Sequence, residues 1–206
     1  MNKRTAKRPV AENKQPATEM PVLCFAVTEA WSAWLASRHR SSSGVWVKIA
    51  KKVSGRASIT YAEALEVALA WGWIDGQKQT FDEAWWLQKF TPRGSRSMWS
   101  KINREKATAL IAAGKMTPAG LAEVERAKKD GRWDRAYESQ RSASVPEDLE
   151  MALAKNPRAK KFFESLDAPN RYAVLFRVHH AKKAETRARR IAQFVEMLAK
   201  GEKLHP

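Results

Sequence analysis

The chain has 206 residues, 44% of them hydrophobic and nine of them Trp, and it sets 38 Lys and Arg against 22 Asp and Glu for a formal net charge of +16. So much packing material excludes a wholly disordered chain, and no segment approaches the roughly 20 apolar residues of a membrane span. The charge favours polyanionic partners such as nucleic acid or acidic lipid surfaces and disfavours cationic ones.

Residues 1–19 place Lys3, Arg4, Lys7, Arg8 and Lys14 among Pro, Thr, Asn and Gln, a composition expected to be a disordered basic tail. No apolar stretch of signal-peptide length follows it, so a cytoplasmic protein is expected. "VLCFAV" (22–27) has strand length, and its Cys24, the single cysteine, reads as a small buried hydrophobe. Thr28 is expected to cap the helix "EAWSAWLASRHR", in which Trp31, Trp34 and Leu35 recur at helical spacing until "SSSG" breaks it. "VWVKIAKK", from Val45, suits a strand. Thr60 and Glu63 then form a T-x-x-E capping box, and Tyr61, Leu65, Ala68 and Leu69 make one apolar stripe of a helix that ends at Gly72.

"WIDGQKQTF" and "AWWLQKFTPR" read as two strands joined near Asp82-Glu83. A turn at Asp75-Gly76 would leave Trp73-Ile74 as a stub, whereas a Gly inside a strand commonly marks a bulge. Helix is expected from Ser97 to Gly114 and again from Thr117-Pro118, followed by a linker at 138–145. Beyond Pro146 come helices each opened by a Pro, and a last one around 185–200 with Ile191, Phe194, Val195 and Leu198 on one stripe. The expected fold is α+β: a small antiparallel sheet with packed helices in residues 20–137, then an all-helical C-terminal part in 146–206.

Metal ligation fails on counts, because His39, His179, His180 and His205 are scattered and there is one Cys. The chain also lacks the glycine-rich and nucleophile-elbow motifs of common nucleotide and acyl-transfer chemistry, so neither catalytic residues nor a cofactor are assigned. "FTPRGSRSMWSKIN" (90–103) is more telling, since core packing gives no reason to crowd Arg93, Arg96 and Lys101 around Trp99. One reading is a plain helix entry in which Ser97 caps the helix and the arginines pair with Asp75 or Asp82. The other is an anion site, where guanidiniums and backbone N–H groups meet the positive end of a helix. Asp75, set among Trp residues, either accepts structural hydrogen bonds or serves a ligand. On the functional reading, Asp75, Gln77, Arg93, Arg96, Ser97, Trp99, Lys101 and Asn103 form one ligand pocket.

A third cluster, "HHAKKAETRARR" (179–190), lies in a segment, 155–206, where thirteen Lys and Arg face five Asp and Glu, about half of the net charge. It is either a solvated helix face or a contact for nucleic-acid backbone through Lys182, Lys183, Arg187, Arg189 and Arg190.

Five segments, "YAEALEVALAWGWIDGQ", "FTPRGSRSMWSKIN", "GKMTPAGLAEVERAKKDGRWD" with the Ala136-Tyr137 that follows Arg135, "VPEDLEMALAKNP" and "AKKAETRARRIAQFVEMLA", together resemble the YdeI/OmpD-associated, or bacteriocin-protection, family. The resemblance runs from about Phe25 to the C-terminus. It implies an association with resistance to bacteriocins and antimicrobial peptides, and it brings neither a reaction nor catalytic residues. Such peptides are typically cationic, so a chain of charge +16 would have to overcome repulsion to sequester them, and an indirect role is expected. The sequence therefore points to a non-enzymatic binding protein with an anionic ligand or a protein partner. Nucleic-acid binding through the basic clusters is the alternative, and an enzyme using Asp75 as acid or base lacks a paired group.

Overall fold

Val45, Val47 and Ile49 are almost fully buried while the intervening Trp46, Lys48 and Ala50 are not, so period-two alternation alone gives this segment one face for a core. In the computed structural model, which describes residues 20–206, it is the second strand of four. The expectation for residues 1–19 lies outside the described residues. The strands are β1 (Val22–Cys24), β2 (Val45–Ala50), β3 (Trp73–Thr80) and β4 (Trp85–Pro92), in the spatial order β1-β2-β4-β3. The three larger strands pair antiparallel, with Val45 opposite Phe90 and Trp73 opposite Pro92. β1 joins parallel to β2, because helix α1 (Thr28–Arg38) carries the chain over the sheet between them.

Two details of the N-terminal part depart from the sequence reading. β1 is three residues long, and Val27 occupies the cap position of α1 without a side-chain bond, so Thr28 is the first helical residue and not the cap. Cys24 is exposed, because its register with Lys48 turns it away from the core.

Helix α2 (Tyr61–Ala70) opens on the Thr60/Glu63 capping box and closes before Gly72, whose φ of 74° is left-handed. The β3–β4 turn falls at residues 81–84, where Asp82 Oδ1 accepts the N–H groups of Ala84 and Trp85 at 2.8 Å. Between Asp75 and Lys78 the register slips by one residue, a bulge beside Gly76. Gln88, buried beneath it, donates Nε2 to the carbonyls of Gly76 (2.9 Å) and Gln77 (3.3 Å), so the ladder's unpaired acceptors are satisfied.

Helices α3 (Lys101–Ala112) and α4 (Pro118–Lys129) complete the first part. Thr117 caps α4 and donates its hydroxyl to Ala70 O at 2.7 Å, which ties α4 to the end of α2. The core here is aromatic: the Trp31 ring stacks on Trp34 at 5.4 Å and meets Trp73 edge-on at 6.4 Å. The C-terminal part consists of α5 (Glu147–Ala154), α6 (Pro157–Ser165), α7 (Ala168–His179) and α8 (Ala184–Ala199). Its own apolar cluster joins Leu149, Leu153, Phe163, Val174, Val178, Ile191, Phe194 and Leu198. The α+β class is thus observed, and no helix among the described residues is long and apolar enough to cross a membrane.

Candidate ligand-binding site

Strand β4 ends at Pro92, and the next residue turns inward: Arg93 N–H donates to Gly72 O at 3.0 Å, and its side chain is 4% exposed. Nη1 donates to Met98 O at 3.1 Å, and the guanidinium carbon lies 3.5 Å from the centre of the Trp99 ring. Nε and Nη2 are buried without a partner. Burial lowers the Arg93 pKa to about 10, although the charges of Asp75 and Glu123 oppose that shift.

The "RGSRS" segment is a closed turn, with Gly94 N–H donating to Ser97 Oγ (2.9 Å) and Ser97 N–H to Gly94 O (3.0 Å). The Ser97 hydroxyl is therefore occupied, and Ser100 caps the helix instead, accepting from Asn103 N–H at 3.1 Å. The helix begins at Lys101, four residues later than the sequence reading placed it. Lys101 N–H is already bound, donating to Tyr137 O at 2.8 Å. Arg96 stands exposed in the turn.

Asp75 sits at the bulge and accepts the Tyr61 hydroxyl at 2.8 Å. Burial, reinforced by the Asp75 charge, holds the Tyr61 phenol well above its ordinary range. Gln77 is exposed, and Asn103 is 8% exposed on the inner side of α3. The pocket expected from sequence thus separates into a buried Arg93–Trp99 stack within electrostatic reach of Asp75, surface residues Gln77 and Arg96, and Lys101 facing elsewhere.

Lys101 faces a cleft of about 210 Å³ between the two parts of the chain, lined also by Tyr137, Glu138, Ser144, Tyr172, Phe176, His179 and Arg187. Tyr137 builds its back wall: the backbone is clamped by Trp99 O and Lys101 N–H, and the ring meets Phe176 edge-on at 5.2 Å. Lys101 Nζ donates to Glu138 Oε1 at 2.6 Å, and Ser144 N–H to Glu138 Oε2 at 3.0 Å, which hold the Glu138 carboxyl below its usual range. The Tyr172 hydroxyl donates to Glu138 O at 2.9 Å, and burial pushes its pKa up to about 12. His180, its ring tilted against Phe176 at 3.9 Å between centres, is held below the ordinary histidine range by burial.

The C-terminal basic cluster is divided in the same way. Arg187 forks onto both Asp148 carboxylate oxygens and donates Nη1 to Val178 O at 2.8 Å, while Arg190 donates Nη1 to Arg177 O at 2.7 Å. These two hold helices together. Lys182, Lys183 and Arg189 are exposed, and Lys183 occupies the cap position of α8.

Sequence reasoning assigned no role to Tyr137, at the end of the expected α+β part, to Glu138, in the expected linker, or to Tyr172 and Phe176, in a helix. The available signal was two aromatic residues, Tyr137 and Trp133, crowded just before the Ser-rich segment. Among the described residues no group of three or more His, Cys, Asp or Glu side chains could hold a metal ion.

Two family models match the chain. Residues 23–123 are similar to a domain of unknown function, DUF8412, and residues 142–201 to the family described as Bacteriocin-protection, YdeI or OmpD-Associated. No curated protein and no solved structure matches it. The cleft takes Lys101 from the first matched segment and Ser144, Tyr172, Phe176, His179 and Arg187 from the second.

Proposed function

We propose, from a chain whose residues 142–201 match the YdeI/OmpD-associated, bacteriocin-protection family, that the protein is a non-enzymatic binding protein that holds a small anionic ligand in the junction cleft. The observation that carries this reading is an aromatic-walled cleft of about 210 Å³ where Lys101, paired with Glu138, and Arg187, paired with Asp148, both reach the lining. That volume suits a phosphate- or carboxylate-bearing metabolite smaller than a drug-sized molecule. Phe176 and Leu175 supply apolar wall, Tyr137 and Tyr172 supply phenol groups, and Lys101 and Arg187 outnumber the one lining carboxylate, Glu138, which favours negative charge. Binding is preferred to catalysis because Glu138, the carboxylate lining the cleft, is already engaged by Lys101 and Ser144 and held in its charged form.

A role in resistance follows indirectly on this reading, through what the ligand reports to the cell. Direct capture of a cationic peptide is disfavoured by the +16 charge. The test is a set of thermal melts of the full chain with inorganic phosphate, citrate and a nucleoside monophosphate, repeated on Lys101→Gln. At roughly a hundred times Kd, a bound anion adds about 2.7 kcal/mol of stability. The expected result is a higher melting temperature with at least one anion and loss of that gain in Lys101→Gln. Equal gains in parent and variant, or none with any anion, would overturn the cleft as the site.

A further inference from the structure

The sheet has a second face that neither apolar cluster uses. Trp46, Trp85, Phe81 and Leu87 belong to neither cluster. Register explains why. Trp46, Lys48 and Ala50 alternate with the buried residues of β2, and they pair across β4 with Lys89, Leu87 and Trp85. All six therefore point away from the face that carries Val45, Val47 and Ile49; Leu87, at 3% exposure, is covered by its neighbours, and Trp46 and Trp85 are partly exposed around it. Phe81, just beyond the end of β3, is 49% exposed at the border of this face.

The rings are interleaved with cations. Lys48 Nζ lies 4.2 Å from the centre of the Phe81 ring and 4.9 Å from that of Trp85, and Lys89 Nζ lies 5.9 Å from that of Trp46. No carboxylate occupies an outward position on β1, β2 or β4. Trp46 and Trp85 stand four register positions apart on the β2–β4 ladder, a span of about 13 Å along the strands.

We propose that this outer face is a stacking platform for single-stranded nucleic acid, with Trp46, Phe81 and Trp85 taking bases and Lys48 and Lys89 taking phosphates. Every base has a π-face, so rings on an open sheet accept unpaired bases whatever the sequence, and ammonium groups set between them meet the backbone. In a duplex those faces are already stacked and out of reach. An acidic bilayer would also meet the lysines, but burying these rings in hydrocarbon would draw Lys48 and Lys89 in with them, at the cost of an unpaired buried charge. The net charge of +16 supplies the long-range attraction that a polyanion requires.

The experiment is fluorescence anisotropy of the full chain with a labelled oligothymidylate of roughly 16 nucleotides and with a duplex of the same length, at about 50 and 200 mM salt. Phe81→Ala and Trp85→Ala are the variants. Phe81 is half exposed, so its truncation leaves the melting temperature unchanged and isolates the stacking contribution. The expected result is tighter binding of the single strand than of the duplex, weakened about 5- to 100-fold by either variant with the salt dependence preserved. Lys48→Gln should instead flatten the salt dependence. Three results would overturn the proposal: no binding at low salt, affinity unchanged from the parent in both ring variants, or binding to vesicles of anionic phospholipid with none to the oligonucleotide.

Discussion

The guanidinium carbon of Arg93 lies over Trp99, 3.5 Å from the ring centre, and the same side chain donates Nη1 to Met98 O at 3.1 Å. Arg93 thereby braces the segment that leads from β4 into α3, whereas Arg96, three residues on, is exposed. Arg93→Ala removes a fully buried side chain and should cost about 2–5 kcal/mol. Arg96→Ala should stay within about 0.5 kcal/mol. Urea unfolding of the two variants checks the contrast, and comparable losses would refute it.

Gly120 opens helix α4 against the last turn of α2 so closely that a Cβ placed there would stand 2.3 Å from Ala70 O. A backbone atom cannot yield as a flexible side chain can. Gly120→Ala should therefore destabilise by about 1–3 kcal/mol or more by forcing the two helices apart. At Gly76 the nearest atom to such a Cβ is 3.8 Å away and φ is not left-handed, so Gly76→Ala should be nearly neutral. Calorimetric melts of both variants decide the point.

Much of the fold was legible because it rests on local chemistry. The Thr60/Glu63 box, the Asp82 turn, the Gly76 bulge and the Ile191–Leu198 stripe each announce themselves within a few residues. Ser97 and Ser100 show where this stops. Both can cap a helix, and the choice was made by Gly94 N–H binding Ser97 Oγ and by Tyr137 O receiving Lys101 N–H, the second a contact 36 positions away in the chain. The cleft was illegible for the same reason, since Lys101 and Phe176 become neighbours only when the two parts pack.

His180 makes stability depend on pH. Burial between Phe176 and Tyr137 keeps its folded pKa below the ordinary value, whereas the unfolded chain takes up the proton near pH 6.5. The unfolded state therefore binds more protons in that window, and stability should fall as pH drops from about 6.5 toward the folded pKa. Neighbouring His179, Lys182 and Arg190 depress it further. His180→Phe should flatten the melting temperature between about pH 7.5 and 5.5 relative to the parent. An unchanged slope would remove His180 as its source.

The two apolar clusters suggest two folding units joined near residues 138–145, and Arg141 is the exposed tryptic site in that stretch. Limited trypsin digestion should release a C-terminal fragment that begins at Ser142 and then resists further cleavage. Early cuts within α5 to α8 would argue against an independent unit.

The claim that the junction cleft takes an anion is tested most directly by mapping backbone amide shifts of the labelled full chain during titration with the anion that gives the largest stabilisation. The account predicts perturbations centred on Lys101, Tyr137, Glu138, Ser144, Tyr172 and His179, the residues that line the cleft from both sides. Saturable shifts confined to Arg96 and its turn, or to Lys182, Lys183 and Arg189, with the cleft residues unmoved, would contradict it.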